Sequence, residues 1–94
     1  MPQLYNVRAN SVAAKQLAAI HLKYRQLGFP HLVAFADERI QHALELNPQG
    51  GMPSKSGKWW SVTVRPIRAY YTIQGSEVWI VKYEEAPIQI GPTP

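Results

Sequence analysis

Residues 59–73 read WWSVTVRPIRAYYTI, a stretch in which apolar and polar side chains alternate on both sides of Pro66. Successive side chains of a β-strand point to opposite faces of its sheet, so each half of the stretch has one apolar and one polar face. Because proline cannot donate a ladder hydrogen bond, Pro66 separates two strands, predicted over residues 59–65 and 67–73. Their apolar positions are Trp60, Val62, Val64, Ile67, Ala69, Tyr71 and Ile73.

A third strand is predicted over residues 78–83, after a hairpin turn at Gln74-Gly75-Ser76. Residues 78–81 are continuously apolar, which favours a central strand that is covered on both faces. Residues 52–57, upstream of the first strand, are polar and indicate a flexible loop. Residues 52–83 therefore predict a loop followed by a three-stranded antiparallel meander.

The first half of the chain predicts a strand over residues 4–8 and helices over residues 12–27 and 31–46. Asn10-Ser11 offers an N-cap for the first helix, and Gly28 is placed to end it. Each helix carries an apolar stripe with spacings typical of an α-helix. The stripes are Ala13, Leu17, Ile20, Tyr24 and Leu27, then Val33, Ala36, Ile40, Ala43 and Leu44.

The connection between the two helices, Phe29-Pro30, is very short, and Pro30 suits the first turn of the second helix. Helices joined this tightly are expected to form an antiparallel hairpin with a shared apolar face. Adding the meander gives an α+β class. The chain has 94 residues, which predicts one domain over residues 1–86 and an extended tail over residues 87–94.

Composition excludes several classes of protein. The chain has no cysteine, so disulfides, thiolate metal sites and thiol nucleophiles are ruled out. With 46% hydrophobic and 17% charged residues it is expected to fold, and it has no apolar run long enough to cross a bilayer. A small soluble protein of the bacterial-type cytoplasm is the expectation.

No cofactor or metal is predicted. Gly50-Gly51 has neither the spacing nor the lysine of a nucleotide-binding loop. His21, His31 and His42 are spread over the helices without metal-ligand spacing, so surface or helix-end histidines are the ordinary interpretation.

The formal charge of +4 favours an anionic partner, either nucleic acid or an acidic protein. Five of the basic residues lie between positions 55 and 82, where Glu77 is the one acidic residue. They are Lys55, Lys58, Arg65, Arg68 and Lys82. The meander and the loop before it are therefore the basic part of the chain.

The helix end at Ala43-Leu44-Glu45-Leu46-Asn47-Pro48, the Gly-rich loop after it and residues 60–73 together resemble the RelE/ParE family of toxin-antitoxin toxins. In that family a helix closing before proline precedes a strand, an arginine-containing strand of the kind Arg-x-x-Tyr-x-Ile, and an apolar strand. The resemblance extends over about residues 4–83 and matches Arg68 to the family arginine.

Members of the family that cleave messenger RNA on the ribosome use sheet lysines and arginines with a C-terminal tyrosine or histidine. Here Ser61 and Thr63 stand where the lysines would be, and residues 84–87, EEAP, replace the C-terminal arginine-tyrosine segment. The resemblance thus leaves Arg68 as the catalytic candidate. It makes a gyrase-directed or non-toxic member more plausible than an endoribonuclease.

The resemblance implies a toxin of a type II toxin-antitoxin system, with an antitoxin as partner and RNA, the ribosome or DNA gyrase as target. The alternative is a non-toxic nucleic-acid- or protein-binding module with the same fold. Seven residues are the candidate target-binding set, since basic and aromatic side chains can hold phosphates and stack bases. They are Lys55, Lys58, Trp59, Arg65, Arg68, Tyr70 and Lys82.

Arg68 shares the polar parity of its strand with Tyr70 and Thr72, so its side chain is expected to be at least partly exposed. It either contacts the target or merely pairs with a carboxylate such as Glu77 or Glu38, or packs its stem over Tyr70. Glu84-Glu85 is expected to be a solvated end.

Overall fold

The computed structural model of the chain describes residues 4–87. In that range it has two α-helices, α1 (Ser11–Gln26) and α2 (Leu32–Leu46), and five β-strands. The strands are β1 (Asn6–Ala9), β2 (Met52–Pro53), β3 (Trp60–Val64), β4 (Ile67–Gln74) and β5 (Glu77–Glu85). The tail predicted for residues 87–94 lies, apart from Pro87, outside the described residues.

All five strands form one mixed sheet in the order β1-β5-β4-β3-β2. The antiparallel pairing of β3, β4 and β5 confirms the predicted meander, and the α+β class is confirmed with it. β1 lies parallel to β5, so the N-terminal strand extends the meander on one side.

The sheet also gains a strand that the sequence did not predict. Residues 52–57 were expected to be a flexible loop, but Met52 and Pro53 pair with Ser61 and Trp60 to form β2. A proline is tolerated here because β2 is an edge strand, where a missing N–H leaves no neighbour unpaired.

Both ends of α1 follow the sequence signals. The Asn10 side chain accepts a hydrogen bond from the Ala13 N–H at 2.8 Å. At the other end Gly28 adopts φ +96°, a conformation that favours glycine. The Gly28 N–H donates to the Arg25 carbonyl at 3.1 Å, and the Phe29 N–H donates to the Tyr24 carbonyl at 2.8 Å. These two bonds close the helix.

Three details of the helix hairpin differ from expectation. Pro30 lies in the turn before α2, because His31 is the N-cap of that helix and Leu32 is its first residue. Leu27 is exposed, since it is the cap residue beyond the last turn of α1. Ala43 is also exposed, because the buried stripe of α2 runs through Ile40 and Leu44.

The helices pack on the same face of the sheet, α1 mainly over β5 and α2 over β3, β4 and β1. Their buried residues form one core with the inward side chains of β4 and β5, which are Ile67, Ala69, Tyr71, Val78, Ile80 and Tyr83. No described element covers the opposite face, which we call the outer face. The expectation that β5 is covered on both sides was therefore wrong, and Trp79 and Val81 are only half-buried.

A β-bulge at Val81 changes the alternation along β5. Tyr70 pairs with Lys82 while Tyr71 pairs with Ile80, so Val81 has no partner on β4. The parity of the strand reverses at this point, because a bulge inserts one extra residue. As a result Tyr83 enters the core and Lys82 faces outward.

No helix within residues 4–87 is long and apolar enough to cross a membrane.

Candidate functional site

Arg68 lies on the outer face, on the middle strand β4 close to the β3–β4 turn, between Thr63 of β3 and Glu84 of β5. Its Nε donates to Thr63 Oγ1 at 2.9 Å, and its Nη1 donates to Glu84 Oε2 at 3.1 Å. The side chain is 36% exposed, as the alternation predicted. The carboxylate that pairs with it is Glu84, and neither Glu77 nor Glu38 takes that place.

Glu84 is the meeting point of the polar groups around Arg68. The Tyr70 hydroxyl donates to the same Glu84 Oε2 at 2.6 Å, and Lys82 Nζ lies 3.7 Å from Oε1. The Lys82 ammonium also lies 5.4 Å from the centre of the Tyr70 ring. The Tyr70 hydrogen bond, with the charges of Lys82 and Arg68, lowers the pKa of Glu84 below its ordinary value.

The two adjacent glutamates are not a solvated end, and that expectation was wrong. They point to opposite faces of the sheet because they are successive residues of β5. Glu85 faces α1, where Lys23 donates to it at 2.8 Å and the Tyr24 hydroxyl at 3.0 Å. Of these two glutamates, only Glu84 therefore affects the charge of the outer face.

A cleft of about 530 Å³ opens beside Arg68 and Tyr70. Its other walls come from the outer side of β3 and from the turn that leads into β2. The lining residues are Gly50, Gly51, Met52, Ser61, Val62, Thr63, Arg68 and Tyr70. Hydroxyl groups and one guanidinium thus face a space in the size range of small-ligand sites.

The predicted target-binding residues divide into three groups. Arg68, Tyr70 and Lys82 come together on the outer face, as described above. Lys55 and Lys58 lie on the exposed loop between β2 and β3, and Trp59, 42% exposed, ends that loop. Arg65 lies in the turn between β3 and β4, where its Nη1 donates to the Pro87 carbonyl at 2.7 Å.

Sequence reasoning missed two members of the cluster around Arg68. Thr63 was noted only as the position of a missing lysine, although a two-residue turn at Arg65-Pro66 puts residues 63 and 68 opposite each other. Glu84 could not be found in this way, because the bulge at Val81 sets its position and leaves no signal in the alternation.

A second cluster lies further along the outer face, and sequence reasoning missed it. The Arg8 guanidinium lies 5.9 Å from the Trp79 ring centre, and Trp79 Nε1 donates to Glu77 at 3.1 Å. Arg8 reaches Trp79 because β1 pairs in parallel with β5, a long-range pairing with no local sequence signal.

The outer face can hold an anion through charge and hydrogen bonds. Within residues 4–87 no three histidine, aspartate or glutamate side chains come together as a group that could bind a metal ion. The histidines belong to the helical layer, since His21 lies on α1, His42 on α2 and His31 just before it. The cluster around Arg68 therefore contains no imidazole to serve as a general base.

No protein-family model and no curated protein matches this sequence significantly. Solved structures do match. A chain of the chromosomal ParDE TA system from P. aeruginosa superposes with a TM-score of 0.69 at 24% identity, covering 87% of this chain and 96% of that one.

A chain of the toxin-antitoxin complex RelBE2 from Mycobacterium tuberculosis superposes with a TM-score of 0.70 at 20% identity, covering 90% of this chain and 94% of that one. A conserved hypothetical protein from Helicobacter pylori gives a TM-score of 0.55 at 12% identity, with coverage of 87% and 94%. Identities this low establish the fold and leave the activity open. The chain has a RelE/ParE-like fold, the fold of these ParDE and RelBE2 chains.

Proposed function

We propose that this protein is the toxin-like component of a type II toxin-antitoxin system. The observation that supports it is the match of the fold over nearly the whole length of the ParDE and RelBE2 chains. A shared fold alone does not determine a function, so the proposal also needs a site. The outer face supplies one, because it presents Arg68, Lys82 and Tyr70 beside a cleft.

The target is engaged through the outer face and its cleft. Arg68 is the residue that the alternation pattern, the resemblance and the cleft geometry all select. Ser61 and Thr63 bring hydroxyls and no charge, so this face fits binding of an anionic target better than cleavage of RNA. RNA on the ribosome and a surface of DNA gyrase are the candidate targets.

An antitoxin would neutralise the protein, and the solvent side of α1 is the surface that suits it. A groove of about 460 Å³ runs along that side, lined by Ala14, Leu17, Ala18, His21, Leu22 and Arg25. The helix contains three basic residues, Lys15, Lys23 and Arg25, and no acidic one. An amphipathic segment with apolar and acidic side chains would complement both the shape and the charge.

Growth of bacteria after induction of the chain tests the proposed function. We expect growth to stop, an adjacent short reading frame to encode the antitoxin, and growth to recover when that frame is co-expressed. Leu22→Asp, on the α1 groove, is expected to keep the growth arrest and lose the rescue, while Val12→Asp serves as a matched control. Normal growth at full protein level would refute toxicity. If growth stops, mapping of messenger RNA ends separates cleavage of RNA from binding alone.

The specific observation that favours a second candidate is the pairing of Arg68 with Glu84. Glu84 already neutralises the charge of Arg68 on the face that is expected to meet the target. This pairing favours a non-toxic binding module with the same fold. Such a module would leave growth unchanged and would still bind a partner through α1 or the outer face.

A further inference from the structure

Three polar side chains of the outer face converge on the carboxylate of Glu84. Tyr70 and Arg68 both donate to Glu84 Oε2, at 2.6 and 3.1 Å, and Lys82 Nζ lies 3.7 Å from Oε1. Hydrogen bonds to a charged acceptor are the strong ones among polar contacts. Glu84 therefore acts toward these groups as a bound anion would.

Arg68 has an anchor besides Glu84, and the strand itself fixes the side of the sheet on which Arg68 and Tyr70 lie. Arg68 Nε is held by Thr63 Oγ1 at 2.9 Å, on the neighbouring strand, and Arg68 and Tyr70 are two residues apart on β4 and share its outer side. A guanidinium has five N–H groups in a fixed fork, so Arg68 retains donors beyond those to Thr63 and Glu84. Removing the carboxylate would leave a site that is already organised for an anion.

We propose that Glu84 is an internal anion occupying a phosphate-binding site formed by Arg68, Tyr70 and Thr63, and that this occupation restrains binding of single-stranded nucleic acid. The inference rests on the proposed function, because it names the class of ligand that the proposed target-binding face takes.

The surroundings of the site favour a nucleic-acid phosphate over the carboxylate of a partner protein. The cleft of about 530 Å³ starts at Arg68 and Tyr70 and has room for a nucleotide unit. Beyond it, the loop before β3 carries Lys55 and Lys58 and ends at the exposed ring of Trp59. Proteins that bind single-stranded nucleic acid typically combine lysines or arginines, which contact the phosphate backbone, with exposed aromatic rings, on which the bases stack.

The charge balance of the cluster explains how Glu84 restrains binding. Arg68 and Lys82 bring two positive charges, and Glu84 cancels one of them at contact distance. An entering phosphate must displace the carboxylate or lie beside it, and like charges a few ångströms apart repel strongly near a protein surface. Neutralising Glu84 removes both obstacles.

The test measures binding of a fluorescent oligouridylate of about ten nucleotides at low salt by anisotropy. Glu84→Gln keeps the size of the side chain and an acceptor oxygen for Tyr70, and is expected to bind about tenfold more tightly than the wild type because one nearby negative charge is lost. Glu84→Gln combined with Arg68→Ala is expected to lose this gain. Thermal melts verify that each variant is folded, and Glu84→Ala serves as a second neutral variant.

Glu85→Gln is the matched control, since it makes the same change in net charge one residue away on the opposite face of the sheet. An equal gain in Glu85→Gln, or a gain that survives Arg68→Ala, would overturn the proposal by showing a general charge effect. An oligoglutamate that competes as well as RNA at equal charge would overturn the assignment to phosphate.

The outcome is separable from the growth test. A toxic wild type whose Glu84→Gln variant binds no better would refute the role of Glu84 and leave the proposed function standing. A harmless wild type whose Glu84→Gln variant gains Arg68-dependent binding would refute toxicity and leave this inference standing.

Discussion

Arg68 is held by two neighbours, Thr63 and Glu84, and its removal would leave neither of them buried without a partner. Glu84 would retain the Tyr70 hydrogen bond and the charge of Lys82. The guanidinium is also partly exposed, which limits what its ion pair contributes to folding. The position therefore resembles a surface site more than a structural one.

We expect Arg68→Ala to change the free energy of unfolding by only about 0.5 kcal/mol, as surface substitutions usually do, and to abolish growth arrest. Urea denaturation and growth curves on the same variant measure both effects. Arg39→Ala is the control, because Arg39 is also exposed but lies on α2, on the other side of the sheet. If Arg68→Ala loses stability and activity in proportion, Arg68 is a scaffold residue.

Gly51 shows how closely the turn after α2 approaches the sheet. A Cβ at this position would collide with the Tyr71 hydroxyl and would lie 2.7 Å from the Ser61 carbonyl oxygen. The backbone of Gly51 is in the ordinary extended region, so space alone requires the glycine. Tyr71 is itself fixed there, since its hydroxyl donates to the Pro48 carbonyl at 2.5 Å.

Gly51→Ala is expected to destabilise the fold by about 1–3 kcal/mol, the usual range for overpacking. Gly50→Ala should cost far less, because its Cβ would meet only the exposed side chain of Asn47 at 3.0 Å. Adding Tyr71→Phe to Gly51→Ala removes the colliding oxygen and should recover part of the loss. Equal melting temperatures for Gly50→Ala and Gly51→Ala would contradict this account.

At the scale of elements, Glu85 connects the end of β5 to the end of α1. It accepts from Lys23 Nζ at 2.8 Å and from the Tyr24 hydroxyl at 3.0 Å. The hydrogen bond from Lys23 is the main reason that the pKa of Glu85 is lowered. A carboxylate whose pKa is lower in the folded state stabilises the fold above its unfolded pKa, and this contribution is lost as pH falls through the folded value.

Stability should therefore decline on acidification below about pH 4.5, and Glu85→Gln should lose less between neutral and acidic pH than the wild type does. Urea denaturation at neutral pH and at about pH 3 measures the difference. In a Lys23→Met background the main cause of the shifted pKa is absent, so Glu85→Gln should change the pH dependence little. An identical acid dependence in wild type and Glu85→Gln would exclude this connection.

The elements that could be predicted from the sequence are those specified by local patterns. Alternation located β3 and β4 to within one residue, and the Asn10 cap and Gly28 marked the ends of α1. The same alternation put Arg68 and Tyr70 on the outer face. Local signals were sufficient because each of these features depends on neighbouring residues alone.

The parts that could not be predicted depend on long-range packing. The parallel pairing of β1 with β5, which brings Arg8 to Trp79, has no local signature. The bulge at Val81 reverses the parity of β5, so the positions of Tyr83 and Glu84 could not be read from alternation. The Arg68 half of the site was accordingly predictable, and its carboxylate partner was not.

In the whole molecule, only one face of the sheet takes part in the hydrophobic core. The helices cover one face of the sheet and bury the apolar side chains of β4 and β5 there. The outer face takes no part in that core, so its polar groups can change with little effect on folding. A surface of this kind can be adapted to a target without loss of the fold.

Binding of single-stranded nucleic acid to this surface should be electrostatic and modest. For single strands, each phosphate contact contributes about −0.7 to the slope of log K against log salt concentration, because binding releases counterions. We expect two to four contacts, made by Arg68, Lys82, Lys55 and Lys58. The slope should therefore be about −1.5 to −3. Replacing both Lys55 and Lys58 by alanine should make the slope shallower, whereas Lys15→Ala, on the far layer, should leave it unchanged. Anisotropy titrations of the oligouridylate over a range of salt concentrations give these slopes directly. A salt-independent affinity, or a slope that responds to Lys15 as it does to the loop lysines, would show that the outer face and its loop are not where nucleic acid binds.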